Sequence, residues 1–491
     1  MRVLISTYIK PGKICSNFSL VLIFIFNPFL STEGNVFHHL NKVIHIKDFG
    51  AIGDGKTNCT QSFQKAAAYL QTNGGTLVID PGAYIVGKQK FTGSFGAGSS
   101  YIPEPILDLR HAEQPVIITG YKAIIKAADG LKYGSFNPVT GKKDKIRKES
   151  NITDYYASAY TFINAIDCAS VTIKGLTLDG NSEKLDMGPN FGLGAQLPAT
   201  GISLYNNKNA AVIDCYIHHC ALDAIIIGWT GLKNADPIYP HILQNIKALY
   251  NGRQGLSWVG GNSLKVINSQ FSSTGKAFNN GSPVVGEPAA GIDIEIENSI
   301  IKNGSFINSR VFDNAGRGLS SIGHDTYNIR FSKVNFIGTT NDPAFPKSQN
   351  FSFDSCMFVG RMVGICGSED KMKANFFKNC LFTTNKKDSP NGKVFGTYCS
   401  FYDAQNVIFD HCTFDAGSGR LPVFSHKEIE FISCKFIQNS NEDFRAIAIF
   451  KGTTQFNMSG KGKVDASEGT FQGKIIYNDQ IISDFKNARN K

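Results

Sequence analysis

The chain has no low-complexity tract, no CxxC pair among its eleven cysteines, only two tryptophans and only 17 prolines in 491 residues. Beyond residue 32 no run approaches the roughly 18 apolar residues that a membrane-spanning helix needs, which argues against a membrane protein once the opening segment is set aside. Without CxxC spacing the cysteines do not read as zinc ligand pairs. What is abundant is glycine, 49 residues, and phenylalanine, 37, a combination that points to many short strands and many turns. The length exceeds one ordinary globular domain, so the chain is either several domains or one elongated repeat.

Arg2, Lys10 and Lys13 precede the run SLVLIFIF (19–26), and this basic, then briefly apolar, opening reads as a secretory signal over residues 1–32. The expected location is therefore secreted, periplasmic or at the cell surface. Removing that segment leaves 47 basic against 40 acidic residues, a formal +7, which suits an acidic polymer better than nucleic acid. KKDKIRKE (142–149) reads as a solvated loop.

The cysteines mark a repeat. DCYI, DSCMF, KNCLF, DHCTF and ISCKF share one shape, and NSQF and KVNF share it with Ser or Val in the Cys place. Phenylalanines fall at 271, 312, 336, 358, 382, 414 and 436, so steps of 22 and 24 recur. A second short strand begins with a small residue in each repeat: GISLY, AIIIG, GLSWV, GIDIE, GLSSI and GICGS, from 201, 224, 255, 291, 318 and 364. Strands this short bury a core only by stacking, which gives a β-helix with rungs ~4.8 Å apart. Cys215, Cys356, Cys380, Cys412 and Cys434 then lie on the inward parity, as small buried hydrophobes and not a disulfide framework.

The stretch DFGAIGDGKTNCTQSFQKAAAYLQTNGGTLVIDPGAYIV (48–86) resembles the opening module of the pectin-lyase-like superfamily, which includes polygalacturonase and rhamnogalacturonase relatives and epimerase-like members. The resemblance implies an all-β fold, a right-handed parallel β-helix over 43–480 with a capping module at 43–87, and action on polysaccharides. Independently, Phe63, Ala66, Ala67 and Leu70 share one face of a short helix that would close the end of the coil. Residues 130–160 are expected as an inserted loop.

Superposing the small-residue strands gives two outward columns: Ile226, Ser257, Asp293 and Ser320, and Asp223, Gln254, Ala290 and Arg317. Against the polygalacturonase pattern, Leu222 replaces the first aspartate of a pair that Asp223 completes, Gln254 stands for histidine, and PATGI (198–202) lacks an aspartate. These departures argue against polygalacturonase chemistry.

GIDIEIEN (291–298) alternates isoleucine with acid. Asp293 and Glu295 would lie ~6.6–6.8 Å apart along a strand, within the ~6.5–9.5 Å that inverting hydrolysis needs. The expected catalytic set is Asp293, Glu295 and Asp223; the expected substrate-binding set is Arg253, Gln254, Trp258, Arg317, His324 and Asp325. No cofactor is assigned; Ca²⁺ is the cation the acids could hold, Asp223 and Asp325 contributing. A lyase or uronate epimerase remains open, using Arg253, Arg317 or His324, as does a non-catalytic carbohydrate-binding β-helix. Asp179 and Asn181 in LTLDGN (176–181) read as a turn, and adjacent His218 and His219 lack ligand spacing. The oligomeric state is not legible.

Overall fold

Strands of three to seven residues with one apolar parity gain stability only when stacked, and the chain stacks them into a right-handed parallel β-helix with three ladders of strands. The computed structural model describes residues 42–147, 151–189, 196–297, 299–323, 325–362, 364–396, 404–421, 428–466 and 469–483. The expected signal segment lies outside them.

One ladder contains eight strands: β1 (Leu107–Arg110), β2 (Tyr160–Ile166), β3 (Ala199–Tyr205), β4 (Asp223–Gly228), β5 (Gln254–Trp258), β6 (Ala290–Glu295), β7 (Leu319–Ile322) and β8 (Ala344–Pro346). All its pairings are parallel. The other two ladders meet along one edge, where strands such as Val116–Ala127 and Val171–Asp179 run through the corner with a register shift between Lys174 and Leu176.

That corner explains the cysteine motif. Asp214, Asn268, Lys333, Ser355, Asn379, His411 and Ser433 sit in the left-handed region at φ between 50° and 55°. The next residue turns inward, and where it is cysteine the thiol is buried and unpaired by disulfide. Each thiol donates to a carbonyl one rung below: Cys356 to Phe331 at 3.5 Å, Cys380 to Phe353 at 3.5 Å, Cys412 to Phe377 at 3.5 Å and Cys434 to Phe409 at 3.2 Å. Asn379→Ala should cost about 1 kcal/mol through the left-handed backbone, read as a lower urea midpoint, while Asn379→Gly should relieve most of it.

The phenylalanine excess fills the interior as two face-to-face columns. Phe353, Phe377, Phe409 and Phe431 stack at 4.7, 5.1 and 5.2 Å, and Phe358, Phe382, Phe414 and Phe436 at 4.9, 4.8 and 5.1 Å. Coils of 24 and 22 residues, with one of 32 between them, return the same aromatic to the same place one rung on.

The helix α1 (Thr60–Asn73) buries Phe63, Ala66, Ala67 and Leu70, as its periodicity predicts. Gly53 and Gly82 of the opening module cross so closely that a Cβ on Gly82 would lie 2.8 Å from the Gly53 carbonyl oxygen. Two expectations change. Within 130–160, Lys132–Ser135 and Tyr156–Ala157 are strands of a five-stranded sheet with Gln89–Phe91, Tyr101–Pro103 and Asp186–Met187, anchored by buried Tyr133, Phe136 and Tyr155. The eight-stranded ladder ends at Ala344–Pro346, and the GICGS stretch forms no strand; Cys366 N–H still donates to the Pro346 carbonyl at 3.0 Å. Pro343 and Pro346 lack the donors that a continued ladder uses.

Candidate active site

The register confirms both columns: Ile226 pairs with Ser257, Ser257 with Asp293 and Asp293 with Ser320, while Asp223 pairs with Gln254 and Gln254 with Ala290. Ile292 and Ile294 of β6 point into the core, both at 0 % exposure, so Asp293 and Glu295 leave from the opposite face.

Asp293 faces away from the core yet is only 3 % exposed. The Gln254 side-chain amide donates to its Oδ2, and Ser320 hydrogen-bonds it from the next rung. Burial, reinforced by the Glu295 charge, pushes Asp293 up to about 7 despite the opposing pull of Arg253 and Ser320. A carboxyl at this value carries its proton near neutral pH, which a general acid needs. Glu295 is half-buried and Glu297 exposed, so the acids run from covered floor to open surface as the chain leaves β6. Glu297 is also raised, through partial burial and then Glu295.

Asp223 is 0 % exposed, and the Arg253 guanidinium grips both its oxygens, Nε to Oδ1 at 2.8 Å and Nη2 to Oδ2. Burial opposes the charge on Arg253, but the Asp223 carboxylate more than restores it and raises the pKa. With both oxygens engaged and no surface, Asp223 acts as an internal counter-ion and not as a third catalytic carboxylate.

The expected binding residues divide in the same way. Arg253 at 5 % and Gln254 at 1 % exposure lie beneath the surface, where they hold Asp223 and Asp293. Trp258 is sealed in the core at 1 %, its indole N–H donating to the Gly260 carbonyl at 3.1 Å and its ring 6.3 Å from Phe306, so it presents no face to a ligand. Arg317 is half-buried, its guanidinium 3.7 Å from the Phe345 ring centre and 3.9 Å from Asp342. Asp325 is exposed and accepts a 3.4 Å bond from the Tyr327 hydroxyl. His324 lies outside the described residues.

Sequence reasoning missed the tyrosines around this group. Tyr133 is fully buried and raised, first by burial and then by the Asp223 charge. Tyr205, at the end of β3, is pushed up to about 12 by burial and by the Glu297 and Asp223 charges. Tyr133 belongs to the segment expected as an inserted loop, and only its surplus of aromatics hinted at burial. Trp229, just past the end of β4, is the half-exposed tryptophan and stacks on Tyr239 at 4.2 Å.

No protein-family model matches the chain, and no curated protein matches it. Among solved structures it is similar to the A-module of the Azotobacter vinelandii mannuronan C-5 epimerase AlgE4, at 14% identity over 86% of this chain and 97% of that one, TM-score 0.37. It is similar to PfbA, a surface adhesin of Streptococcus pneumoniae, at 14% identity over 89% and 91%, TM-score 0.36. A third is the tailspike gp49 of Acinetobacter baumannii bacteriophage Fri1, a capsular polysaccharide depolymerase, at 12% identity over 92% and 66%, TM-score 0.33. At this level the likenesses assign no activity, and the fold rests on the strand pairing itself.

Proposed function

We propose that the protein is a polysaccharide-active enzyme of the exported β-helix kind, a glycoside hydrolase with Asp293 as general acid and Glu295 as the carboxylate that activates water. The observation that carries this reading is the crowding of Asp223, Asp293, Glu295 and Glu297 around one arginine, with Asp293 pushed up to about 7 beside Glu295. Like charges at one place cost stability unless a task holds them there, and two carboxyls held in unlike surroundings are what acid and base roles require. In this reading Gln254 and Ser320 orient the acid, and the Asp223–Arg253 pair supplies a fixed charge behind it.

Elimination is less well supported, because Arg253 is locked to Asp223 and Arg317 is stacked on Phe345, so neither is a free base. The near-complete burial of Asp293 favours a second reading, a glycan-binding β-helix without turnover. A panel of uronate-rich and neutral polysaccharides, read for reducing ends and ultraviolet absorbance together, separates them. Hydrolysis predicts reducing ends without new absorbance, abolished in Asp293→Asn and in Glu295→Gln; full turnover in both variants overturns the assignment. Saturable binding without product supports the second reading.

A further inference from the structure

Away from these acids, Asp179 and His218 are direct lateral partners on adjacent rungs, and His219 follows in the left-handed conformation at φ 53°. One donor atom from each of Asp179, His218 and His219 lies within 4.8 Å of the others. We propose that these three residues form a binding site for a divalent transition ion of the zinc class, with the remaining position open to water or to a ligand oxygen.

The donor set is two imidazoles and one carboxylate, which suits zinc and its neighbours and not calcium, a cation that takes oxygen ligands. The Nδ1 atoms of His218 and His219 share a hydrogen bond at 2.8 Å, whose proton an ion would displace, and His218 Nδ1 lies 3.7 Å from Asp179 Oδ1. A tetrahedral ion with bonds of ~2.0–2.2 Å needs donor separations of roughly 3.3–3.6 Å. The two observed edges bracket that span, so small ring rotations fit the ion.

The surroundings are those of a built ligand set. Asp179 uses one oxygen, Oδ2, for Lys126 Nζ at 3.1 Å, while Oδ1 accepts from the Asn181 N–H at 2.9 Å and keeps a second lone pair for the ion. The far nitrogen of His219, Nε2, faces a Glu183 carboxylate oxygen at 3.5 Å, the outer carboxylate that fixes a ligating ring and its tautomer. Tyr250 stacks on His219 with ring centres 5.3 Å apart, and Tyr216 lies over His218 at 4.3 Å. The three side chains keep between 16% and 22% of their surface, enough for an ion to enter.

Adjacent histidines alone carry no ligand spacing, which is why the sequence reads them as structural. The third ligand is supplied by the coil, which sets the end of LTLD beside the end of CYIH one rung away.

The test is zinc titration of the full chain in competition with a chromogenic chelator, comparing wild type with His218→Ala/His219→Ala and with Glu183→Gln. The expected result is one zinc per wild-type chain that the double variant lacks, with Glu183→Gln weakened ~10–100-fold. Cobalt added to wild type should give the intense visible absorption of a four-coordinate N,O site, a readout that stands even if the double variant fails to fold. Equal zinc binding by wild type and a folded double variant, or a six-coordinate cobalt spectrum in wild type, overturns the proposal.

Discussion

Asp293→Asn should be more stable than wild type at about pH 8 by on the order of 4 kcal/mol, and equal to it near pH 4. Asn keeps the shape and still accepts from Gln254, but it has no charge to bury. In wild type the folded-state pKa of Asp293 is raised from 3.8 to about 7. Below 3.8 both states hold the proton and the group is neutral toward stability. Between 3.8 and 7 the folded chain holds a proton that the unfolded chain releases, so wild type loses stability as pH rises through this window, and the loss is complete above 7. Groups remote from Asp293 titrate alike in both proteins, so the difference between their urea midpoints isolates Asp293 together with its coupling to the adjacent charges. Parallel curves across the window would show that Asp293 ionises like a solvated carboxylate.

Arg253→Met should destabilise the protein by about 3–5 kcal/mol, because it strands Asp223 as an unpaired charge where no solvent reaches. Burial, not attraction, decides the size. Replacing both members, Asp223→Leu with Arg253→Met, removes two charges from the interior and should restore wild-type stability or exceed it by ~1–4 kcal/mol. Thermal unfolding of the two single variants and the double completes the cycle. A loss under about 1 kcal/mol for Arg253→Met alone would mean that water reaches Asp223 after all.

Much of the fold was written in the spacing of a few residues. The Cys-x-Phe motif encodes a corner, an inward thiol and an inward ring, and its return after 24, 32 and 22 positions encodes the coil. Strand registers from β3 to β7 follow from the small residues at Gly201, Ala224, Gly255, Gly291 and Gly318, and each is met. The register then breaks at GICGS, because the true next rung is Ala344–Pro346, where Pro346 and the preceding Pro343 disguise a strand.

The site was legible only by column. Alternation says which residues leave the core side of a strand, but not whether another layer covers the outer face. For that reason Asp293, placed on an open cleft from sequence, turns out to be enclosed; Asp223, Arg253 and Gln254, at the starts of β4 and β5, are enclosed as well. Trp258 is a different case, since it shares the inward parity of Leu256 and pairs with Ile294, so its burial could have been read from the strand. The tyrosines could not, for Tyr133 comes from a separate sheet that no repeat announces.

The most direct test of the account is the titration of the Asp293 carboxyl itself, taken from infrared difference spectra of wild type against Asp293→Asn across pH and repeated in Glu295→Gln. The expected midpoint is about 7 in wild type and lower once the neighbouring charge is removed. An ordinary midpoint near ~4 in both proteins would contradict it.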